Sequence, residues 1–146
     1  MHKGKEGIMA IKWRDLYSVN NEVIDRQHKR LFEIGGTLLD IVSARDELDH
    51  YDEILRIVGE LKDYTVYHFG YEEDLMQKAG YAGLEAHRAE HAAFIAEVAR
   101  KLREDLDANQ KESVLQLVMV VTDWITSHIL KTDMQYKAVL ADAVPV

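Results

Sequence analysis

The sequence predicts an all-α protein: an up-down-up-down four-helix bundle with an N-terminal arm. Three observations predict it. Four stretches repeat apolar residues at alternating steps of three and four, the spacing of a helix face turned toward a core. The links between them are short, which makes sequential helices antiparallel neighbours. The one proline, Pro145, stands near the end of the chain, so no stretch carries a helix breaker. A length of 146 residues suits one domain, read as 1–146 with an arm over 1–20 and a bundle over 22–140.

The arm carries Trp13 and Tyr17, expected to pack onto the bundle. The first helix is predicted from about Glu22 to Val42, with Asn20 and Asn21 as N-cap candidates and a stripe of Ile24, His28, Leu31, Gly35, Leu38 and Val42. The second runs from about Tyr51 to Ala79, with Ile54, Val58, Leu61, Thr65, His68, Glu72 and Leu75 on its stripe and Gly80 as its stop. The third runs from about Leu84 to Leu106, with Leu84, His87, His91, Phe94 and Val98 facing inward. The fourth starts near Glu112 and shows Val114, Leu117, Val121, Trp124 and His128. Its stripe then changes phase, continuing as 129, 133, 136, 140, which predicts a π-bulge or bend between Ile129 and Asp133. The links are Ser43 to His50, Gly80 to Gly83 and Asp107 to Lys111.

Composition narrows the function. A formal net charge of −8 argues against nucleic acid and against anionic membranes, both of which call for basic patches. With no cysteine, disulfides, thiolate catalysis, Cys-rich zinc sites and Cys-ligated clusters are excluded, and a cytoplasmic address fits. The longest purely apolar run, Leu117 to Val121, is far too short to span a bilayer, and Met1 to Gly7 is polar, unlike a signal peptide.

The chemistry lies in what occupies the stripes. Each helix places at least one histidine on its apolar face, and the second adds Glu72. Burying such groups is costly unless they are paired or bind a metal. One buried histidine is ordinarily a hydrogen-bonded core residue; five on four helices need another account. His68 and Glu72, and likewise His87 and His91, are four residues apart and share a helix face. His128 and Asp133 are five apart, across the phase change. Five histidines and two carboxylates are too many for one ion. Two octahedral ions have twelve positions; the imidazoles fill five, two bridging carboxylates four and one bridging solvent oxygen two. One position stays open for a small ligand. Nitrogen and oxygen ligands without sulfur suit iron, with manganese or zinc as alternatives.

These residues resemble those of the hemerythrins, and of bacterial hemerythrin-like domains in particular. The matching pieces are Asp25-Arg26-Gln27-His28, His68-Phe69-Gly70-Tyr71-Glu72-Glu73, Met76 with Gly80-Tyr81, His87-Arg88-Ala89-Glu90-His91, and Trp124-Ile125-x-x-His128 with Asp133 and Tyr136. They extend over roughly Trp13 to Leu140, in order, one set per helix, with no ligand position departing from the pattern. The resemblance implies two iron ions bridged by an oxo or hydroxo group and by Glu72 and Asp133. It assigns His87, His91 and His128 to one iron and His28 and His68 to the other, which keeps the open position. It further implies reversible binding of dioxygen by a carrier, store or sensor that is not an enzyme.

Leu31, Phe32, Phe69, Trp124, Ile125 and Ile129 lie within about a turn of a ligand and are expected to form an apolar pocket wall as well as core. Tyr136 is a candidate donor behind the ligands. Asp25 and Gln27 flank a ligand and read as surface or capping residues. Glu73 and Glu90 adjoin ligands but point about 100° away, and Glu73 reads as surface. His2 and His50 fall outside the pattern and read as solvated. A bundle of this size stands alone, so a monomer is expected.

Competing classes fit less well. A ferritin-like carboxylate enzyme needs two Glu-x-x-His motifs, and the one here, Glu47 to His50, falls in a predicted loop. The His-Glu-x-x-His of zinc hydrolases is absent. A di-iron enzyme reducing peroxide or nitric oxide, an oxygen- or redox-sensing domain of a larger signalling protein, and a closed structural metal site are the other readings.

Overall fold

The computed structural model describes residues 12–42, 51–105 and 110–140. Four long helices form the body: α1 (Glu22–Val42), α2 (Tyr51–Ala79), α3 (Leu84–Asp105) and α4 (Gln110–Lys131). A short helix, α5 (Lys137–Leu140), follows α4. Each long helix packs on its sequential neighbours, and α1 closes the ring against α4, as the short links predict. No strand occurs among the described residues, and none of their helices is long and apolar enough to cross a membrane. The predicted link Ser43 to His50, with His50 and Glu47, lies outside the described residues, as do His2 and the arm before residue 12.

The ends of α1 and α2 follow their local chemistry. Asn21 caps α1 by accepting from the Ile24 amide at 3.1 Å, while its Nδ2 donates to the Leu140 carbonyl at 2.9 Å and ties the start of α1 to α5. Asp25 belongs to the same corner: it accepts from the Ser18 hydroxyl at 2.6 Å and the Val19 amide at 2.9 Å, which fixes the arm. Gly80 stops α2 at φ 69°, a left-handed conformation that glycine adopts without steric cost. The Tyr81 amide then reaches back to the Met76 carbonyl at 3.0 Å and the Gly80 amide to Gln77 at 3.1 Å, a Schellman closure. The arm makes a 3-10 turn at Asp15–Tyr17, and Trp13 and Tyr17 pack their rings on Phe32, 6.3 and 5.3 Å between centroids.

The phase change in the fourth stripe is real, but its form differs from a π-bulge. Helix α4 keeps its α-type bond from the Thr132 amide to the His128 carbonyl, 2.7 Å, and then ends. Asp133–Tyr136 continues as a 3-10 turn, with the Gln135 amide on the Thr132 carbonyl at 3.1 Å. Asp133 is wholly buried at the start of that turn, where straight α-helical continuation from His128 would carry it about 140° off the inner face.

The core divides in two. The larger part fills the bundle from Leu31 and Leu38 on α1 across Ile54, Leu61 and Phe69 to Phe94, Leu117 and Ile129. The smaller joins Val19, Ile24, Leu75, Met76, Tyr136 and Leu140 at the end where the arm, α5 and the end of α2 meet. Between them sits a layer of buried ionisable side chains.

Candidate metal centre

All four long helices and the 3-10 turn contribute to that layer. His28 comes from α1, His68 and Glu72 from α2, His87 and His91 from α3, His128 from α4 and Asp133 from the turn. Each is at most 5 % exposed, and Glu72 and Asp133 are wholly buried. The structure therefore brings together all seven residues singled out in the sequence. Among the described residues they fall into two overlapping groups able to hold a metal: Glu72, His87, His91, His128 and Asp133, and His28, His68 and Glu72.

The two carboxylates reach toward both groups. Glu72 turns Oε1 to the Nε2 atoms of His91 and His87, 3.3 and 3.9 Å, and Oε2 to those of His28 and His68, both 3.4 Å. Asp133 turns Oδ1 to His87 and His128, both 3.0 Å, and Oδ2 to His28 at 3.2 Å. The Nε2 of His128 lies 3.1 Å from those of His91 and His87. A metal–nitrogen bond of about 2.1 Å places adjacent octahedral ligand atoms about 3.0 Å apart, so this spacing is that of a shared ion. His28 Nε2, Glu72 Oε1 and both Asp133 oxygens are buried without a hydrogen-bond partner, a costly state for polar atoms unless they coordinate something.

The protonation states follow from this crowding. Burial works against the charge on Glu72, yet the neighbouring His68, His28 and His91 hold its carboxyl well below the usual range. Asp133 is likewise held low: burial and the Glu72 charge push upward, and the imidazoles of His128, His28 and His87 close beside it outweigh them. His28 is raised to about 9, because Asp133 and Glu72 overcome the desolvation that opposes its charge. His128 is raised for the same reason, whereas burial dominates at His68 and lowers it. Burial, with the nearby Asp133 and Glu72 charges, drives the Tyr136 hydroxyl well above its ordinary value, so it stays a donor. It donates to Glu72 Oε2 at 2.5 Å, as a residue behind the ligands should.

Three neighbours of the ligands have roles that the sequence did not disclose. Gln27 is buried and accepts from His68 Nδ1 at 2.7 Å. Glu73 is no surface bystander: its Oε2 accepts from His91 Nδ1 at 2.8 Å, with Arg88 Nε 3.5 Å from Oε1. Glu90 Oε1 accepts from His128 Nδ1 at 2.8 Å and from the Thr132 hydroxyl at 3.0 Å. Each of the three stands beside a ligand on its own helix and orients a ligand on the next. The 100° offset that turns such a residue off its own inner face aims it at the adjoining helix. Adjacency to a ligand was the one sequence signal available.

The pocket residues Leu31, Phe32, Phe69, Ile125 and Ile129 are buried in the larger core, with Trp124 packed half-buried against it. Phe69 stacks on His91 at 3.7 Å and 2°, and Trp124 stacks on His128 at 4.3 Å and 12° and on Phe94 at 4.0 Å. Phe32 meets the arm aromatics. An apolar cavity of about 40 Å³ lies beyond Phe94, bordered by Leu38, Leu61, Thr65, Val98 and Val121.

Comparison with known proteins agrees with this geometry. The family model described as the hemerythrin HHE cation binding domain matches residues 19–140. A bacteriohemerythrin of Clostridium acetobutylicum is 34% identical over 124 residues, 85% of this chain and 96% of that protein. One of Methylococcus capsulatus is 34% identical over 120 residues, 82% of this chain and 88% of that protein. A crystal structure of wild-type hemerythrin superposes with a TM-score of 0.72 at 30% identity, covering 89% of this chain and 97% of the other. A buried His, Glu and Asp cluster suited to metal, on a four-helix bundle matched along most of its length, identifies the chain as a member of the hemerythrin family.

Proposed function

We propose that the chain binds dioxygen reversibly at a non-haem di-iron centre, as a carrier, store or sensor. The observation that supports this reading best is the division of each carboxylate, one oxygen of Glu72 and of Asp133 to each histidine group. That arrangement calls for two ions bridged twice. His87, His91 and His128 would hold one iron and His28 and His68 the other, with an oxo or hydroxo group completing the bridge. The donor set is nitrogen and oxygen throughout, which suits iron. The pair with two imidazoles offers one ligand fewer, so a small ligand would bind on that side. Two irons held by these residues would supply the redox chemistry that reversible binding of dioxygen needs.

The chain's own residues then act as a container. Stacked Phe69 and Trp124, with Leu31, Phe32, Ile125 and Ile129, exclude water and so slow loss of the bound gas as peroxide. Tyr136 commits its proton to Glu72, and Gln27, Glu73 and Glu90 commit an oxygen each to accepting from a ligand imidazole. This arrangement suits binding in preference to catalysis, and we read the protein as a non-enzyme, monomeric and cytoplasmic.

The test is an optical spectrum of the iron-loaded, reduced protein, first under nitrogen, then with oxygen, then degassed. A charge-transfer band that comes with oxygen and leaves on degassing supports the proposal. A band that stays means oxidation without release, and returns the weight to an enzyme or a closed metal site.

A further inference from the structure

The groups behind the two sets of histidines are unequal. His91 and His128 each donate Nδ1–H to a full carboxylate, Glu73 and Glu90, at 2.8 Å. Each carboxylate has a second partner: Arg88 lies 3.5 Å from the other oxygen of Glu73, and the Thr132 hydroxyl donates at 3.0 Å to the Glu90 oxygen that faces His128. In the other set, His68 donates to the neutral amide oxygen of Gln27 at 2.7 Å; each set also holds one imidazole, His87 in the first and His28 in the second, whose Nδ1 has no hydrogen-bond partner among the described residues. All three backed imidazoles have the same fixed tautomer, Nε2 lone pair inward. Charge sets them apart. An anionic acceptor pulls on the Nδ1 proton and makes the opposite nitrogen a stronger electron donor to a metal; an amide orients the ring with far less of that push.

Resting on the two-metal reading above, we infer that Glu73 and Glu90 are positioning residues that rank the two metal positions. The position of His87, His91 and His128 fills first and keeps its ion. The position of His28 and His68, backed by Gln27, fills second and gives up its ion first. A chain carrying a single ion is then a discrete species with the dioxygen-side position empty, and partial metal supply yields that species instead of a mixture of full and empty chains.

The test is titration of the metal-free full-length protein with cobalt(II) under nitrogen, followed by absorption and calorimetry. The wild type should take two ions in two resolved steps, each with its own ligand-field spectrum. Glu73→Gln and Glu90→Gln keep an acceptor of the same shape and remove its charge. Each should weaken the first step by about 10- to 100-fold and leave the second nearly unchanged. The double variant should merge the steps, and Gln27→Glu should tighten the second step alone. Unchanged separation in the double variant would overturn the inference, since ligand number alone would then set the order. So would equal weakening of both steps. Binding of fewer than two ions by the wild type would overturn the two-metal reading and the inference with it, which distinguishes the two failures.

Discussion

The Tyr136 hydroxyl donates to Glu72 Oε2 at 2.5 Å, so a residue of the 3-10 turn is latched to the carboxylate at the centre of the bundle. The oxygen it grips is the one facing His28 and His68, 3.4 Å from each. Tyr136→Phe keeps the ring and removes the donor. Hydrogen bonds to charged groups are worth about 1.5–3 kcal/mol, and urea denaturation of the metal-free variant should show a loss of that order. No loss would mean that the carboxylate finds another donor once the tyrosine is gone.

Metal content distinguishes ligands that serve one ion from those that serve two. His68→Ala removes a nitrogen from the two-imidazole position only, and elemental analysis should find that ion lost and the other kept. Glu72→Ala removes a bridge and should deplete both. If either variant retained the full wild-type complement with normal oxygen binding, the ligand assignment would fail.

The metal-free protein should have its own pH profile. His28 is raised to about 9, so its contribution to stability is complete below its unfolded value near 6.5 and is lost as pH rises through about 9. His128, also raised, acts in the same sense. His68 is lowered, so it acts oppositely: stability falls below about pH 6.5 as the unfolded chain takes up a proton that the folded chain refuses. Glu72 and Asp133, both held low, contribute above about pH 4.5 and lose that contribution as the pH falls further. Thermal melts in chelator should therefore show Tm declining from about pH 6.5 toward 9, and His28→Gln should flatten that decline.

Phe69 lies flat on His91, 3.7 Å between centroids, and also borders Trp124. Phe69→Ala should cost about 3–5 kcal/mol through the void it leaves. It should also admit water, so the oxygen-bound spectrum should decay faster than in the wild type, followed by stopped-flow and slow absorbance scans. Equal decay rates would show that the ring packs the core without shielding the centre.

Asn21 serves two helices at once, capping α1 through Oδ1 and binding the Leu140 carbonyl of α5 through Nδ2. Asn21→Ala should cost about 1–2 kcal/mol. Asn21→Asp keeps the cap and loses the donor, so it should fall between the two in a chemical melt.

Much of this was legible in the residues. The three-and-four spacing marked each helix, because a side chain on a 3.6-residue turn meets the core again only at those steps. Ionisable groups on those stripes marked the centre, because burying them unpaired costs more than a fold retains. The phase slip after His128 marked a change of winding, though not its kind: a π-bulge and a 3-10 turn both shift a stripe, and which one forms depends on what the following segment packs against. Here Tyr136 and Leu140 join Ile24 and Met76 in the smaller core.

By itself, then, the sequence determined what is periodic and local: the helices, the inward faces and the seven ionisable residues on or beside them. The tertiary structure decided what lies between helices. Gln27, Glu73 and Glu90 each point off their own helix's inner face and find a histidine on the next, and the oxygens of Glu72 and Asp133 divide between two groups. Periodicity reports how far a side chain is rotated about its own axis. It carries no information on the distance and rotation of the neighbouring helix, and those set whether a polar atom ends in water or 2.8 Å from an imidazole.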